Sequence, residues 1–223
     1  MKNLQMGAGG IAGAALSLFL LTTPAHANLI VNGSFEASPF TANGNYELGL
    51  TDSDVPGWHI PASNGTYPWG LQDGAFGAFT PFGNQWVVLG LHNPKTEYSI
   101  EQTLNGLVVG NTYNVSFAIA SELDCCAQLE LSFTGSSTAA SIFTAPNSGS
   151  YWTDWATFNT NFVATNSSVT LNFKNHNPTT GAGYDLGLDN VAVEGAASVP
   201  EPGVLALLGL GLAGFAASRR RQQ

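Results

Sequence analysis

The alternation of apolar and polar side chains over short runs constrains the fold of this chain more than any other feature of its sequence. The alternation is clearest in residues 112–120 and recurs in residues 128–133 and 168–173. Because successive side chains of a β-strand point to opposite faces, each run offers one apolar face to a core and one polar face to solvent. Between residues 28 and 198 no long stretch has the 3.6-residue periodicity of a helix. The sequence therefore predicts an all-β domain.

Further short runs rich in Val, Ile, Phe, Tyr, Trp and Thr predict the remaining strands. These runs are residues 29–31, 58–60, 86–90, 98–104, 139–144, 155–163 and 186–193. About ten strands in a domain of this length favour one two-sheet β-sandwich over two separate domains. Residues 32–85 are rich in glycine, and we expect them to form the loops in which binding sites usually lie.

The N-terminus has the features of an export signal. Lys2 precedes an apolar run from Ile11 to Leu21, and Ala25 and Ala27 form a small-residue cleavage site. The run is well short of the roughly 20 residues that cross a bilayer, which argues against a membrane anchor. We predict that residues 1–27 are a signal peptide that signal peptidase removes, and that the folded domain spans residues 28–198.

The C-terminus contains a short motif, an apolar stretch and a cationic cluster in that order. These parts are Val199, Pro200, Glu201 and Pro202, then residues 203–217, then Arg219, Arg220 and Arg221. The apolar stretch is near the lower length limit for a spanning helix, and the positive-inside rule would keep the arginines in the cytoplasm. Length and charge therefore predict a C-terminal membrane anchor with the domain outside the cytoplasm.

This order of parts, over residues 199–223, resembles the PEP-CTERM sorting signal. The resemblance implies recognition by an exosortase in the inner membrane of a Gram-negative bacterium, followed by removal of the tail. The protein would then reach the cell surface or the extracellular matrix, and would contact the membrane only through this helix before processing. An ordinary C-terminal anchor is the alternative.

The charge of the predicted domain is strongly acidic. All but one of the fifteen acidic residues of the chain lie between residues 28 and 198, where Lys95 and Lys174 are the only basic residues besides histidine. Such a surface repels nucleic acid and anionic lipid, and it is compatible with calcium and neutral sugars. We therefore expect no nucleic-acid partner.

The two cysteines, Cys125 and Cys126, are adjacent in sequence. Neighbouring Cα atoms lie closer together than a relaxed disulfide requires, so a bond between them would be strained. Free thiols, a strained vicinal disulfide and bonds to another chain all remain open.

Several motifs of the domain resemble a known fold family. They are Asn28–Glu36, Pro56–Trp58, Glu101–Gln102, Gly110–Phe117, Trp155–Phe158, Phe173–Asn177 and Gly187–Val193. The first, second and last of these motifs together resemble the galactose-binding-like jelly roll of carbohydrate-binding modules. The other four carry a closer resemblance to the plant cell-wall proteins of that fold. The resemblance implies a jelly-roll β-sandwich over about residues 28–195. The chain departs from the plant pattern near residues 181–185, where the resemblance implies a cysteine and this chain has none.

Two carboxylates at opposite ends of the domain are candidates for a metal site. Glu36 follows the first predicted strand and Asp189 lies in the last. The first and last strands of a jelly roll are commonly neighbours, and two carboxylates with backbone carbonyls suit Ca²⁺. This corner is therefore a candidate site for a structural Ca²⁺. The alternative is that Glu36 accepts backbone hydrogen bonds and Asp189 caps a turn.

Aromatic side chains in the predicted loops are candidates for contact with sugar, because a flat ring stacks on the C–H face of a pyranose. The candidates are Tyr67, Trp69, Phe82 and Trp152. Trp58, Trp86 and Trp155 instead lie in strand-like runs, and we expect them to pack in the core.

The sequence contains no motif of a known catalytic class: no nucleophile elbow, no zinc-binding helix motif, no phosphate loop and no dinucleotide fingerprint. We therefore predict a protein that is not an enzyme, with no catalytic residues, and that binds or associates with extracellular polysaccharide. One alternative is a structural matrix protein that binds no glycan. A glycoside hydrolase with paired carboxylates is the least supported alternative.

Overall fold

A computed structural model describes residues 28–38, 40, 46–61, 68–90, 98–123, 127–176 and 185–195. This part of the chain contains ten β-strands and one short 3₁₀ turn at Ala75–Gly77. The strands are β1 (Tyr46–Leu48), β2 (Trp69–Gln72), β3 (Gln85–Leu89), β4 (Ser99–Asn105), β5 (Thr112–Ser121), β6 (Gln128–Thr134), β7 (Ser141–Thr144), β8 (Ala156–Val163), β9 (Ser168–Asn175) and β10 (Leu186–Gly195).

The strands form two sheets. The larger sheet has six strands in the order β1-β2-β3-β10-β5-β8, and the smaller has four in the order β4-β9-β6-β7. Every pair of neighbouring strands is antiparallel. The predicted all-β, two-sheet architecture is confirmed. The last strand, β10, lies in the interior of the larger sheet between β3 and β5, and its pairing with β5 shifts between Asp189 and Ala192.

The main core lies between the sheets and follows from the alternation in the sequence. Strand β9 buries Val169, Leu171 and Phe173, while its intervening side chains face outward. Phe117 of β5 packs edge-on against Phe173 across the core, with ring centroids 5.7 Å apart. Each large side chain buried in this way contributes about 2–3 kcal/mol by removing apolar surface from water.

Trp58 belongs to this core, as predicted. It is 3% exposed, and its ring centroid lies 5.4 Å from that of Phe35 and 5.9 Å from that of Phe173. Its indole N–H donates to the carbonyl oxygen of Asn32 at 3.0 Å, which satisfies the one polar atom of the side chain.

Two predicted strands are wrong. Residues 29–31 are not a strand; the Gln102 side chain binds this segment instead, accepting from the backbone N–H of Val31 at 2.8 Å and donating to its carbonyl at 3.0 Å. Residues 58–60 form only a single bridge, between His59 and Glu101 of β4. The first segment also bonds to the backbone of β10, because the N–H of Leu29 donates to the carbonyl oxygen of Val193 and that of Val191 to the carbonyl oxygen of Gly33, at 2.8 Å each.

The sequence also missed β1 and β2, which lie in the region predicted to be loops. Gly70 of β2 faces the ring of Phe40, and a Cβ atom at this position would collide with that ring. Glycine therefore serves close packing here and does not mark a loop.

The predicted signal peptide, Tyr67, both cysteines and the C-terminal tail from residue 199 lie outside the described residues. Within the described ranges, no helix has the length and apolar character needed to cross a membrane.

Candidate functional site

The outward face of the six-stranded sheet carries a second apolar cluster. On β3, Val87 and Leu89 point into the main core, whereas Trp86 and Val88 point to the opposite face. The cluster comprises Leu71, Ala75, Ala78, Trp86, Val88, Ala120 and Trp152, with Tyr46, Trp69, Tyr151 and Trp155 packed against it. Some of these residues come from outside the strands, so residues 73–84 and 148–155 cover this face of the sheet. We refer to them as the two covering segments.

An aromatic cleft opens where the covering segments meet. It is lined by Trp69, Phe76, Glu122, Tyr151 and Trp152 and has a volume of about 170 Å³. The ring centroids of Phe76 and Tyr151 are 6.1 Å apart, and those of Tyr151 and Trp152 are 6.0 Å apart. Phe76 is 52% exposed. The cleft thus offers aromatic surface to solvent together with one carboxylate.

Two of the aromatic residues that line the cleft have a backbone conformation that bulky residues rarely adopt. The φ angle is +54° at Phe76 and +42° at Trp152. Left-handed conformations of this kind cost about 1–3 kcal/mol each and cluster at functional sites. The backbone N–H of Trp152 donates to the carbonyl oxygens of Ser121 and Glu122, at 3.2 Å each, which fixes the covering segment to the end of β5.

The structure brings two of the four predicted ligand residues together. Trp69 and Trp152 both line the cleft. Trp69 does not lie in a loop as predicted, because it is the first residue of β2. Phe82 packs edge-on against Trp155, with ring centroids 6.3 Å apart, and is not among the described residues that line the cleft. Trp152 is only 1% exposed and therefore also supports the covering segment from within.

Sequence reasoning missed Phe76, Tyr151 and Glu122 as residues of the cleft. Phe76 lies between Gly74 and Gly77 and meets the criterion that selected Phe82, so the sequence did contain a signal for it. Glu122 carried no comparable signal. Its position in the cleft depends on the second covering segment, which binds the end of β5 from about 30 residues further along the chain.

The remaining tryptophans fix the covering segments. Trp86 is fully buried, as predicted, although it lies in the second cluster and not between the sheets. Trp155 is half-buried, and its ring packs edge-on against that of Trp86 at 6.0 Å. The indole N–H of Trp155 donates to the carbonyl oxygens of Phe79 at 2.8 Å and Trp152 at 2.9 Å. One side chain therefore links the two covering segments.

The predicted metal ligands lie beneath the first covering segment. Glu36 Oε1 accepts from the backbone N–H groups of Asn84 at 2.7 Å and Gln85 at 2.8 Å. Asp189 Oδ2 accepts from the Thr80 hydroxyl at 2.6 Å, and Oδ1 accepts from the backbone N–H of Asn190 at 2.6 Å. Asp189 thus contacts the first covering segment at Thr80. Glu36 contacts the last residue of that segment, Asn84, and the first residue of β3, Gln85.

Asp189 is fully buried. Burial raises the pKa of its carboxyl group to about 7; the carboxylates of Glu36 and Asp73 act in the same direction, and the hydrogen bonds from Thr80 and Asn190 oppose them. Among the described residues, no group of three or more His, Cys, Asp or Glu side chains is placed to hold a metal ion. Glu36 accepts backbone hydrogen bonds, as the alternative interpretation expected, and Ca²⁺ at this corner stays a prediction.

Family comparisons divide the chain into two parts. Residues 28–194 match the family described as "Protein of unknown function (DUF642)". Residues 198–221 match the PEP-CTERM protein-sorting motif, which confirms the predicted resemblance and indicates export in a Gram-negative bacterium. No curated protein matches the chain.

Two solved structures share the fold. One is TmCBM61 in complex with beta-1,4-galactotriose, with 11% identity and a TM-score of 0.52; the match covers 76% of this chain and 99% of that chain. The other is a putative sugar binding protein from Bacteroides thetaiotaomicron VPI-5482, with 10% identity and a TM-score of 0.52, covering 76% of this chain and 100% of that chain. At these identities the likeness shows the fold alone, and it confirms the predicted jelly-roll β-sandwich.

Proposed function

We propose that the exported domain binds extracellular polysaccharide through the aromatic cleft, without catalysis. The chain belongs to the family described as "Protein of unknown function (DUF642)". The observation that carries this proposal is the cleft itself. Trp69, Phe76, Tyr151 and Trp152 converge on the outward face of the larger sheet, with Phe76 half-exposed. Aromatic faces of this kind bind the C–H face of a sugar ring by apolar contact.

The fold supports the proposal without carrying it. TmCBM61 has the same architecture and its structure holds a galactotriose, but a shared fold hosts many functions. The residues of this chain that line the cleft therefore carry the proposal. Its lining residues include one carboxylate, Glu122, whereas a paired-carboxylate hydrolase needs two acids about 5–9 Å apart.

The sorting motif supports a path to the cell exterior. We propose that signal peptidase removes residues 1–27 and that an exosortase recognises Val199–Pro202, the apolar stretch of residues 203–217 and Arg219–Arg221, and removes the tail. The domain would then be delivered to the cell surface or to the extracellular matrix, where polysaccharide is available to the cleft.

We include a structural Ca²⁺ in the proposal. Glu36 and Asp189 would hold the ion with backbone carbonyl oxygens, since hard oxygen ligands suit Ca²⁺. The observation in its favour is a fully buried Asp189 that lies in the electrostatic field of two further carboxylates. A cation would compensate that charge and would hold the first covering segment against the sheet.

The alternative, a structural matrix protein that works by self-association, also has an observation in its favour. Strand β8 is an edge strand of the larger sheet and contains no charged residue, and its outward side chains are Thr157, Asn159 and Asn161. Uncharged edge strands invite pairing with another chain. Sedimentation of the purified protein over a range of concentrations distinguishes this alternative.

The experiment that tests the proposal is a screen of the purified full chain against a glycan array and against exopolysaccharides from Gram-negative bacteria. The test variant is Trp69→Ala, and the matched control is Phe79→Ala, because Phe79 is an exposed aromatic of the same region that does not line the cleft. We expect binding that Trp69→Ala abolishes and Phe79→Ala preserves. A chain that binds none of these glycans would support the matrix alternative.

A further inference from the structure

Both ends of the domain lie together at one end of the sandwich. Strand β10 ends at Gly195, which pairs with Tyr113 near the start of β5. The N-terminal segment reaches the same place, because the N–H of Leu29 donates to the carbonyl oxygen of Val193 at 2.8 Å. The N–H of Val193 in turn donates to the side-chain oxygen of Asn28 at 2.9 Å. The chain therefore enters and leaves the domain side by side.

Three connections between strands close this end of the sandwich. Their backbones are bonded to one another. The N–H of Leu107 donates to the carbonyl oxygen of Ser167 at 3.0 Å, and the N–H of Thr165 donates to that of Gly135, also at 3.0 Å. These main-chain bonds hold the surface of this end in one arrangement. We call the three connections the terminal pole: residues 106–111, 135–138 and 164–167.

The first connection of the terminal pole presents two valines to solvent. Val108 is 58% exposed, and Val109 is 60% exposed, the largest fraction for a large apolar side chain among the described residues. The backbone of Val108 is held on both sides, because its N–H donates to the Tyr113 hydroxyl at 2.8 Å and its carbonyl accepts from Asn111 at 3.1 Å. An apolar tip that is already ordered loses little conformational freedom when it contacts a partner.

The terminal pole carries no charge, although the domain is strongly acidic. Long parts of the chain around it contain no Asp, Glu, Lys, Arg or His: residues 102–121, 131–153 and 155–173. Glu194, near the end of β10, points to the outward face of the larger sheet, since its neighbour Val193 is buried in the main core. Glu122 and Asp185 lie at the opposite end of the sandwich, where β5 ends and β10 begins. An anionic lipid surface would therefore repel the opposite end more strongly than the terminal pole.

The sequence beyond the domain leads from this pole to the apolar part of the tail. The apolar stretch begins at residue 203, and the intervening residues 196–202 span at most about 25 Å when fully extended. On the proposed path of export this stretch enters the inner membrane before an exosortase removes it, so the terminal pole is held near the lipid surface. Such a tether raises the effective concentration of the two valines at that surface, and contacts that would be weak in solution become sufficient.

We propose that the terminal pole docks on the lipid surface through Val108 and Val109 while the tail is inserted in the membrane. The inference rests on the proposed path of export and adds a contact of the domain itself to that of the tail. The cleft then points away from the membrane, because Glu122, which lines it, lies just beyond the far end of β5, about 30 Å from the pole. Polysaccharide outside the membrane can reach the cleft in this orientation.

The test uses the purified full chain, reconstituted through its tail into phosphatidylcholine vesicles, with the photoreactive residue p-benzoylphenylalanine in place of Val109. The matched control carries this residue in place of Ile142, which is 51% exposed and pairs with Glu130 on the four-stranded sheet, away from the pole. Mass spectrometry after irradiation measures the lipid adducts. We expect at least about fivefold more lipid adduct at position 109 than at position 142, because the tether and the apolar contact hold the pole at the surface.

Equal lipid adduct at the two positions overturns the inference. Adducts between two protein chains at position 109, in place of lipid adducts, also overturn it and show that a second copy covers the valines. A chain that does not stay with the vesicles overturns both the inference and the proposed insertion of the tail. Glycan binding by the cleft is measured separately on the array, so its failure is distinguishable from all of these outcomes.

Val109→Asp provides a second readout that needs no photoreactive residue. The added carboxylate should lift the pole from the surface, with a loss of energy transfer from the native tryptophans to a dansyl-labelled lipid in the vesicles. Ile142→Asp is the control and should keep the energy transfer of the unmodified chain. Hydrogen exchange of β5 and β9 verifies that both variants are folded. Unchanged energy transfer in folded Val109→Asp overturns the inference.

Discussion

The outward faces of the two sheets meet the same physical requirement in different ways. On the four-stranded sheet, polar side chains pair in rows across the strands: Thr103 with Thr170 at 2.8 Å, Glu101 with Asn172 at 3.0 Å, and Glu130 with Lys174 at 3.3 Å. On the six-stranded sheet, an apolar cluster lies under two covering segments. An antiparallel sheet needs only the first arrangement to face water.

An antiparallel sheet can therefore face water without a covering aromatic cluster, as the four-stranded sheet does here. The second cluster brings with it two aromatic residues in left-handed conformations, each costing about 1–3 kcal/mol, and an opening to solvent. A face that carries such costs, on a sheet that could have been polar, is best explained by a function of the cleft.

Trp86→Ala should lower the free energy of unfolding by about 3–5 kcal/mol, because it leaves a cavity beneath both covering segments. Thr103→Ala, on the polar face, should cost less than about 1 kcal/mol. Urea denaturation with a common m-value measures both. Similar losses for the two variants would contradict the contrast between a packed face and a solvated one.

Removal of the proposed Ca²⁺ should destabilise the outward face of the six-stranded sheet and leave the four-stranded sheet unchanged. At a concentration of Ca²⁺ about 100 times its Kd, chelation should remove about 2.7 kcal/mol of stability. In hydrogen-exchange measurements, amides of residues 73–84 should lose protection when chelator is added, whereas amides of β4 and β9 should lose little. An unchanged pattern on chelation would show that Glu36 and Asp189 stabilise the segment through hydrogen bonds without an ion.

Phe76→Gly should separate function from stability. Glycine adopts a positive φ without strain, so the variant relieves the backbone at the cost of two ring contacts, and its free energy of unfolding should stay within about 1 kcal/mol of the parent. Affinity for the glycan found in the array screen should fall about tenfold, or about 1.4 kcal/mol. Isothermal titration and thermal unfolding measure the two quantities, with Phe79→Gly as the control. A loss of stability without loss of binding would show that Phe76 stabilises the fold and does not contribute to glycan binding.

The ion pair of His59 and Asp52 should have the smallest effect. The two groups are 2.8 Å apart and more than half exposed; the hydrogen bond to Asp52 raises the pKa of His59, and the hydrogen bond to His59 lowers the pKa of Asp52. The contribution of His59 is lost as pH rises through its raised pKa, and that of Asp52 as pH falls through its lowered pKa.

The ion pair should therefore stabilise the domain between about pH 4 and 6.5 by less than about 1 kcal/mol. Asp52→Asn should flatten the pH dependence of the melting temperature in this range. An unaltered pH profile would show that solvent screens the pair completely.

The sequence predicted those parts of the fold that follow from local alternation. Strands such as β5 and β9 alternate over six or more residues, so their buried faces could be identified without the structure. Strands β1 and β2 could not, because their pairing depends on contacts that are distant in sequence, such as Gly70 against Phe40. The same limit applies to the site: composition indicated Trp69 and Trp152, but only the folded chain places Glu122 beside them.

The central position of β10 has a mechanical consequence. The sorting motif begins three residues after the end of this strand, so any force on the tail while the protein is tethered enters the domain through β10. To move β10, such a force must break its hydrogen bonds to β3 on one side and to β5 on the other. An edge strand would have to break hydrogen bonds on one side only. The cleft lies on the same sheet, so under the proposed function a load between a bound polymer and the tail would act within this one sheet.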